Sequence, residues 1–242
     1  PGVDFMATQP NYKGALTQYM THPEEWTYHI PEGMTTMEGA LVEPAAVGMH
    51  AAVLGGAQPG KSIVILGGGT IGLMVLQACI SLGATDITVV DVIEKRLELA
   101  KKLGAARVIN GKEEDTVAVL RSEEMYGDHG VDLVFEAAGA VFTAQQAVQI
   151  VSRGGKIMMV GTQSKPVPID FLKINREVTI QTSFRYCNNF PQTIEAISSG
   201  RFNVKDMVTN IYDYEDVQKA FEEAIDPVKK TEMVKGVIKV AE

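Results

Sequence analysis

Ser62-Ile63-Val64-Ile65-Leu66-Gly67-Gly68-Gly69-Thr70-Ile71-Gly72 changes its hydrophobic period halfway along, and that change decides the fold. Residues 62–66 are a short, β-branched apolar run, the pattern of a strand buried on both faces in a parallel sheet. From Ile71 onward the apolar residues Met74, Val75, Ala78, Cys79 and Leu82 recur at helical spacing and share one face with Ile71. Between strand and helix stands Gly67-x-Gly69-x-x-Gly72. Gly67 permits a tight turn, Gly69 lets the backbone approach a pyrophosphate, and Gly72 lets the helix pack close to the strand. The helix N-terminus then offers N–H groups and a positive dipole end to phosphates.

A glycine turn by itself is weak evidence, because such turns also serve as plain loops. Here a second strand follows at residues 86–91, ending on Asp91, which lies 19 residues after Gly72. A carboxylate at that strand end can accept hydrogen bonds from the ribose hydroxyls of NAD and repel the 2′-phosphate of NADP. A structural role is the alternative, with Asp91 as N-cap of the next helix, 94–103. A methyltransferase with a nucleoside cofactor would share the glycine turn and the acid.

The rest of the chain continues the alternation. Strands are expected at 107–109, 131–136, 156–160 and 178–184, with helices at about 114–125 and 143–151 between them. Six strands separated by helices mean an α/β fold: a doubly wound parallel Rossmann sheet whose ligands sit at the carboxyl ends of the strands. Ahead of it, Glu43-Pro44 opens a helix with proline at its first position, running to Gly55-Gly56. Short strands are expected at 14–20 and 26–30. Pro1-Gly2 leads into them as though a β-rich domain were joined midway. The end of the chain reads as helix 191–199, extended 208–211, helix 214–224 and strand 234–240.

Composition sets the remaining bounds. With 45% hydrophobic and 21% charged residues the chain has an ordinary globular balance. Its 30 acids against 22 bases, with no basic run, argue against nucleic acid or an anionic membrane surface as partner. The two cysteines, Cys79 and Cys187, make no disulfide framework and no metal pair, which fits a reducing cytoplasm. Residues 62–85 carry no charge, yet the glycines divide them into pieces too short to span a bilayer. A soluble cytoplasmic protein is expected.

Gly39-Ala40-Leu41-Val42-Glu43-Pro44, the glycine turn, Val90-Asp91 and Phe184-Arg185-Tyr186-Cys187-Asn188 together resemble the zinc-containing medium-chain dehydrogenases, most of all those acting on sorbitol and xylitol. The resemblance implies a GroES-like catalytic domain, of which residues 1–48 are the remainder. It also implies an NAD-binding Rossmann domain at 49–187 and a segment at 188–242 returning to the catalytic domain. It implies Glu43 beside a catalytic zinc, as ligand or holding its water, with the family's Cys and His-Glu ligands lacking counterparts here. In the same way Asp91 is expected on the adenosine ribose and Arg96 along the adenine. Gly67, Gly69, Thr70, Ile71 and Gly72 are expected at the pyrophosphate, and Gly161, Thr162, Ser183, Phe184 and Arg185 at the nicotinamide. Arg185 and Tyr186 would contact substrate hydroxyls, and Phe5 or Met6 would wall the pocket. Without the resemblance, Glu43 reads as a helix-dipole partner, Arg185 as a surface cation and Tyr186 as a packed aromatic. The implied reaction is oxidation of a polyol secondary hydroxyl to a ketose by hydride transfer to NAD, with zinc as Lewis acid. The implied assembly is a dimer or tetramer. The alternatives are a relative acting on threonine, glucose or a simple alcohol, or an NAD-binding fragment inactive by itself.

Overall fold

The structure, a computed structural model, describes residues 14–174 and 176–240; Phe5 and Met6 lie outside them. By compactness the described chain forms two units. One runs Ile30–Met207, and the other joins the residues up to His29 with those from Val208.

The larger unit opens with α1 (Thr36–Ala40) and α2 (Val42–Gly55). Pro44 is the third residue of α2 rather than its first, still within the turn whose N–H groups have no intrahelical acceptor. Then β1 (Ser62–Leu66), α3 (Thr70–Ser81), β2 (Asp86–Asp91), α4 (Glu94–Lys102), β3 (Arg107–Asn110) and α5 (Thr116–Leu120) follow in turn. The unit closes with β4 (Val131–Glu136), α6 (Val141–Ile150), β5 (Val151–Met159), β6 (Thr179–Thr182) and α7 (Phe190–Ser198). Every strand pairing is parallel. The order β3-β2-β1-β4-β5-β6 is that of two βαβαβ halves joined at β1 and β4. The expected six-stranded doubly wound sheet is the one observed.

β1 sits at the centre of the sheet, between β2 and β4, and its last four residues are all apolar. Ile63, Val64, Ile65 and Leu66 are all fully buried. Truncating any of them to alanine would cost about 2–5 kcal/mol. The helix after it is buried all round, not along one stripe. Leu73, Leu76 and Gln77 are as inaccessible as Met74 and Ala78, because α2 packs across the face opposite the sheet. Gly48 makes that packing possible, since a side chain there would meet the Met74 backbone. Gln77 stays satisfied inside. Its Nε2 donates to the Leu103 carbonyl at 2.5 Å, and its Oε1 accepts from the Asn203 N–H at 2.8 Å.

Three elements differ from the sequence reading. α5 spans five residues, capped by the Asp115 carboxylate on Val117 and Ala118 N–H, and then breaks into turns. Arg121 bonds the Gln149 and Val151 carbonyls instead of continuing a helix. β5 begins at Val151, so Gly154-Gly155 lies in a register irregularity inside the strand rather than in a preceding loop. Residues 14–30 contain no strand, only a 3-10 turn at Glu24–Trp26. They are exposed almost throughout, and an extended segment without a paired neighbour makes no ladder.

The second unit pairs β7 (Val208–Asp213) with β8 (Lys235–Lys239) in parallel, joined through α8 (Val217–Ile225) and α9 (Lys229–Glu232). No described helix is long and apolar enough to cross a membrane.

Candidate functional site

The carboxyl ends of β1, β2, β4, β5 and β6 meet around the glycine turn. Gly67 has φ +111°, and a Cβ on it would lie 2.8 Å from the Ala138 nitrogen. Conformation and space both demand glycine there. Gly72 is needed for a different reason, as a Cβ would run into the Gly67 carbonyl oxygen. Gly69 is neither strained nor crowded; its nearest neighbour would be Arg96 Nη1 at 3.9 Å. It is the N-cap of α3, which has no side-chain cap and no charge in its first turn. That leaves Thr70, Ile71 and Gly72 presenting an uncapped helix end, suited to an anion.

Two clefts flank this turn. The first, of about 370 Å³, lies between Gly67 and Gly69, Asp91 and Arg96, and the loop after β4. Asp91 is nearly buried, with one carboxylate oxygen accepting from Gly68 N–H at 2.7 Å and the other from Val92 and Ile93 N–H at 2.8 and 3.0 Å. Asp91 is therefore not the N-cap of α4, a position held by Ile93. It ties the glycine turn to the entry of that helix. Three of a carboxylate's roughly four lone-pair directions are used, which leaves one for a ribose hydroxyl. Arg96 Nη1 stands 3.6 Å from the same carboxylate, and its Nε is buried without a hydrogen-bond partner.

The second cleft, of about 800 Å³, is lined by Val47 and Ile71, by Gly161, Thr162 and Gln163 after β5, and by Ser183, Phe184 and Arg185 after β6. Ser183 Oγ and Gln163 Oε1 are buried without partners. Arg185 has φ +54°, and its guanidinium lies 5.5 Å from the exposed Phe184 ring. Asn188 is also left-handed, at φ +52°. Two such residues in one short loop mark stored strain. The loop is anchored by Asn189, whose Nδ2 donates to the Ala46 carbonyl of α2 at 2.9 Å. Asparagine at a helix start reads as a cap, so no local signal points to this long-range role.

Tyr186 stacks on Phe190, with ring centroids 4.8 Å apart, and its phenol lies near enough to Glu43 to feel that carboxylate's charge. Burial and the neighbouring Glu43 charge both push the Tyr186 phenol above its ordinary range. Glu43 is exposed and lies one helical turn before Val47, on the face of α2 that borders the second cleft. The structure thus brings Glu43 and Tyr186 together and places Arg185 in the cleft. Among the described residues no three His, Cys, Asp or Glu side chains converge, so they do not fit a catalytic metal centre, which needs about three protein ligands.

One residue escaped the sequence reading. Glu136, the last residue of β4, is fully buried and accepts from Ala138 N–H, Gly139 N–H, the Thr143 hydroxyl and the Gln163 amide.

A doubly wound sheet with a glycine turn and an acid at its switch point is the architecture of the dinucleotide-binding α/β class. The chain belongs to the zinc-binding dehydrogenase family, which its residues 70–199 match. It is 64% identical over 242 residues to the uncharacterized zinc-type alcohol dehydrogenase-like protein YdjJ of Escherichia coli, covering all of this chain and 69% of that protein. It is 40% identical over 228 residues to the sorbitol dehydrogenase of Bacillus subtilis, covering 93% of this chain and 64% of the relative. An Escherichia coli oxidoreductase/dehydrogenase of unknown specificity, solved by crystallography, matches the whole chain with a TM-score of 0.95 at 63% identity, and 69% of that chain is covered. This chain spans about two thirds of the length of these relatives.

Proposed function

We propose that this chain forms the cofactor-binding part of an NAD-dependent dehydrogenase that oxidises a secondary hydroxyl of a polyol to the ketone. The observation that carries the cofactor reading is Asp91, a nearly buried carboxylate fixed by three backbone N–H groups at the lip of the first cleft. Its charge opposes a 2′-phosphate, while its remaining lone pair suits a ribose hydroxyl. The α3 terminus would hold the pyrophosphate between the clefts. Gly161, Thr162 and Ser183 would orient the nicotinamide in the second cleft. Bound there, the nicotinamide supplies the hydride acceptor.

The polyol reading rests on Arg185, Tyr186 and the likeness to a sorbitol dehydrogenase. A guanidinium has five donors in a fixed fork and can hold neighbouring hydroxyls, whereas a simple alcohol offers it one. Tyr186 lies beside the Glu43 carboxylate, which can take the proton of the reacting hydroxyl directly or through water. No step is assigned to a metal, because the described residues do not assemble one's ligands.

Calorimetric titration tests the cofactor. NADH should bind at least tenfold tighter than NADPH, and equal or tighter NADPH binding overturns the assignment. The substrate is tested by kcat/KM of Arg185→Ala on xylitol, sorbitol and 2-butanol, in the enzyme that contains this chain. Polyol turnover should fall by roughly two to three decades, from about 3–4 kcal/mol of lost contact. Equal losses on all three would assign Arg185 to the cofactor or the fold instead.

A further inference from the structure

Glu136 lies between the two clefts and touches a wall of each. Its Oε1 accepts from Ala138 N–H at 3.1 Å, Gly139 N–H at 2.9 Å and the Thr143 hydroxyl at 2.7 Å; Ala138 and Thr143 line the Asp91 cleft. Its Oε2 accepts from Gln163 Nε2 at 2.8 Å, and Gln163 lines the Arg185 cleft. Its backbone carbonyl accepts from Val160 and Gly161 N–H at 2.8 and 2.9 Å. The segments 137–140 and 160–163 close around this one residue so tightly that neither glycine has room for a side chain. A Cβ on Gly139 would lie 2.6 Å from the Thr162 carbonyl, and one on Gly161 would lie 2.8 Å from Glu136 Oε2.

A wholly buried carboxylate is costly unless its lone pairs are filled. Here the four donors to the carboxylate, two backbone N–H groups, a hydroxyl and an amide, are all neutral. We propose that Glu136 is a positioning residue that clamps the wall of the adenosine-side cleft to the wall of the nicotinamide-side cleft. It thereby fixes the spacing at which a dinucleotide can fill both. This rests on the dinucleotide reading above. A ligand that fills only the Asp91 cleft does not need the clamp; one that spans both does.

Gln163 supplies the test because it is half-buried, reaches Glu136 through a single bond and leaves the loop after β4 untouched. Gln163→Glu sets two carboxylates against each other, and like charges at that range repel. Adding Glu136→Gln restores one donor, one acceptor and the original charge of the pair. Affinities for NADH and for 5′-AMP, which carries only the adenosine half, are measured by calorimetry on the 242-residue chain, with thermal melts alongside. Gln163→Glu should weaken NADH at least tenfold and leave 5′-AMP within twofold. The double variant should return NADH to within about threefold of the parent, a pairwise rescue that a fold-only role would not give. Parallel losses of NADH and 5′-AMP, an unchanged NADH affinity, or a double variant no better than Gln163→Glu would each overturn the clamp. A parent chain that binds 5′-AMP but gains nothing from the nicotinamide half overturns the dinucleotide reading itself, and the clamp with it.

Discussion

The two clefts are built by different means. The Asp91 cleft is made mostly of backbone: a glycine at φ +111°, a helix end without a cap and an acid held by three N–H groups, all at the ends of strands in register with their neighbours. The Arg185 cleft is made of side chains on a strained loop after a four-residue edge strand. That loop is held by a bond across 143 residues, from Asn189 to Ala46. Steric demands fix the first cleft together with the fold. The second can be varied without disturbing the sheet, and that is where substrate choice belongs.

The largest expected effect breaks the first cleft through its glycines. Gly72→Ala drives a methyl group into the Gly67 carbonyl and should cost about 3 kcal/mol, a fall of roughly 6–12 °C in Tm. Gly69→Ala has room and an ordinary backbone conformation, so stability should stay within about 0.5 kcal/mol. The added methyl stands where a pyrophosphate would approach, and NADH should bind about tenfold more weakly. Thermal melts and NADH titrations on both variants separate the two roles. Equal losses of stability would show that these two glycines do one job.

Asp91→Ala should weaken NADH by about 1–3 kcal/mol, the cost of unpairing a charged hydrogen bond. It also releases Arg96 from its carboxylate, 3.6 Å away, and a free guanidinium at that lip suits a 2′-phosphate. NADPH should therefore gain on NADH, with the preference narrowing or inverting in a competition titration. A variant that loses both cofactors by the same factor would mean that Asp91 acts only by holding Gly68 and the entry to α4.

Local periodicity and glycine spacing made the sheet, its strand order class and the Asp91 lip legible, because each depends on residues close in sequence. The second cleft was legible only as far as a resemblance carried it. Nothing in the run Arg185-Tyr186 says that the phenol meets Glu43, 143 positions earlier. Glu136 reads as the end of a strand, and only the folded chain brings Thr143 and Gln163 to it. Where strands were expected at 14–20 and 26–30, the pairing neighbour was missing, and a strand depends on its neighbour as much as on its own sequence.

The smallest effect sharpens the comparison at the amino end of α2, the helix whose Val47 lines the second cleft. Glu38 closes a capping box on α1, its Oε2 accepting from the Thr35 N–H and hydroxyl at 2.8 and 2.7 Å, and Lys205 Nζ stands 3.2 Å from Oε1. Burial alone would raise its pKa; the Thr35 N–H, the Thr35 hydroxyl and the Lys205 charge outweigh that and hold the carboxyl below its ordinary value. A depressed folded-state pKa stabilises the protein above the unfolded value, near 4.3, and that stabilisation is lost as pH falls through the folded value. Glu38→Gln should therefore cost about 1 kcal/mol at pH 7, with the gap closing below roughly pH 4. Urea midpoints of both proteins at pH 7, 5 and 3 measure it. A gap that stays constant with pH would mean that Glu38 acts by packing and not by charge. The support under the second cleft would then be as steric as that of the first.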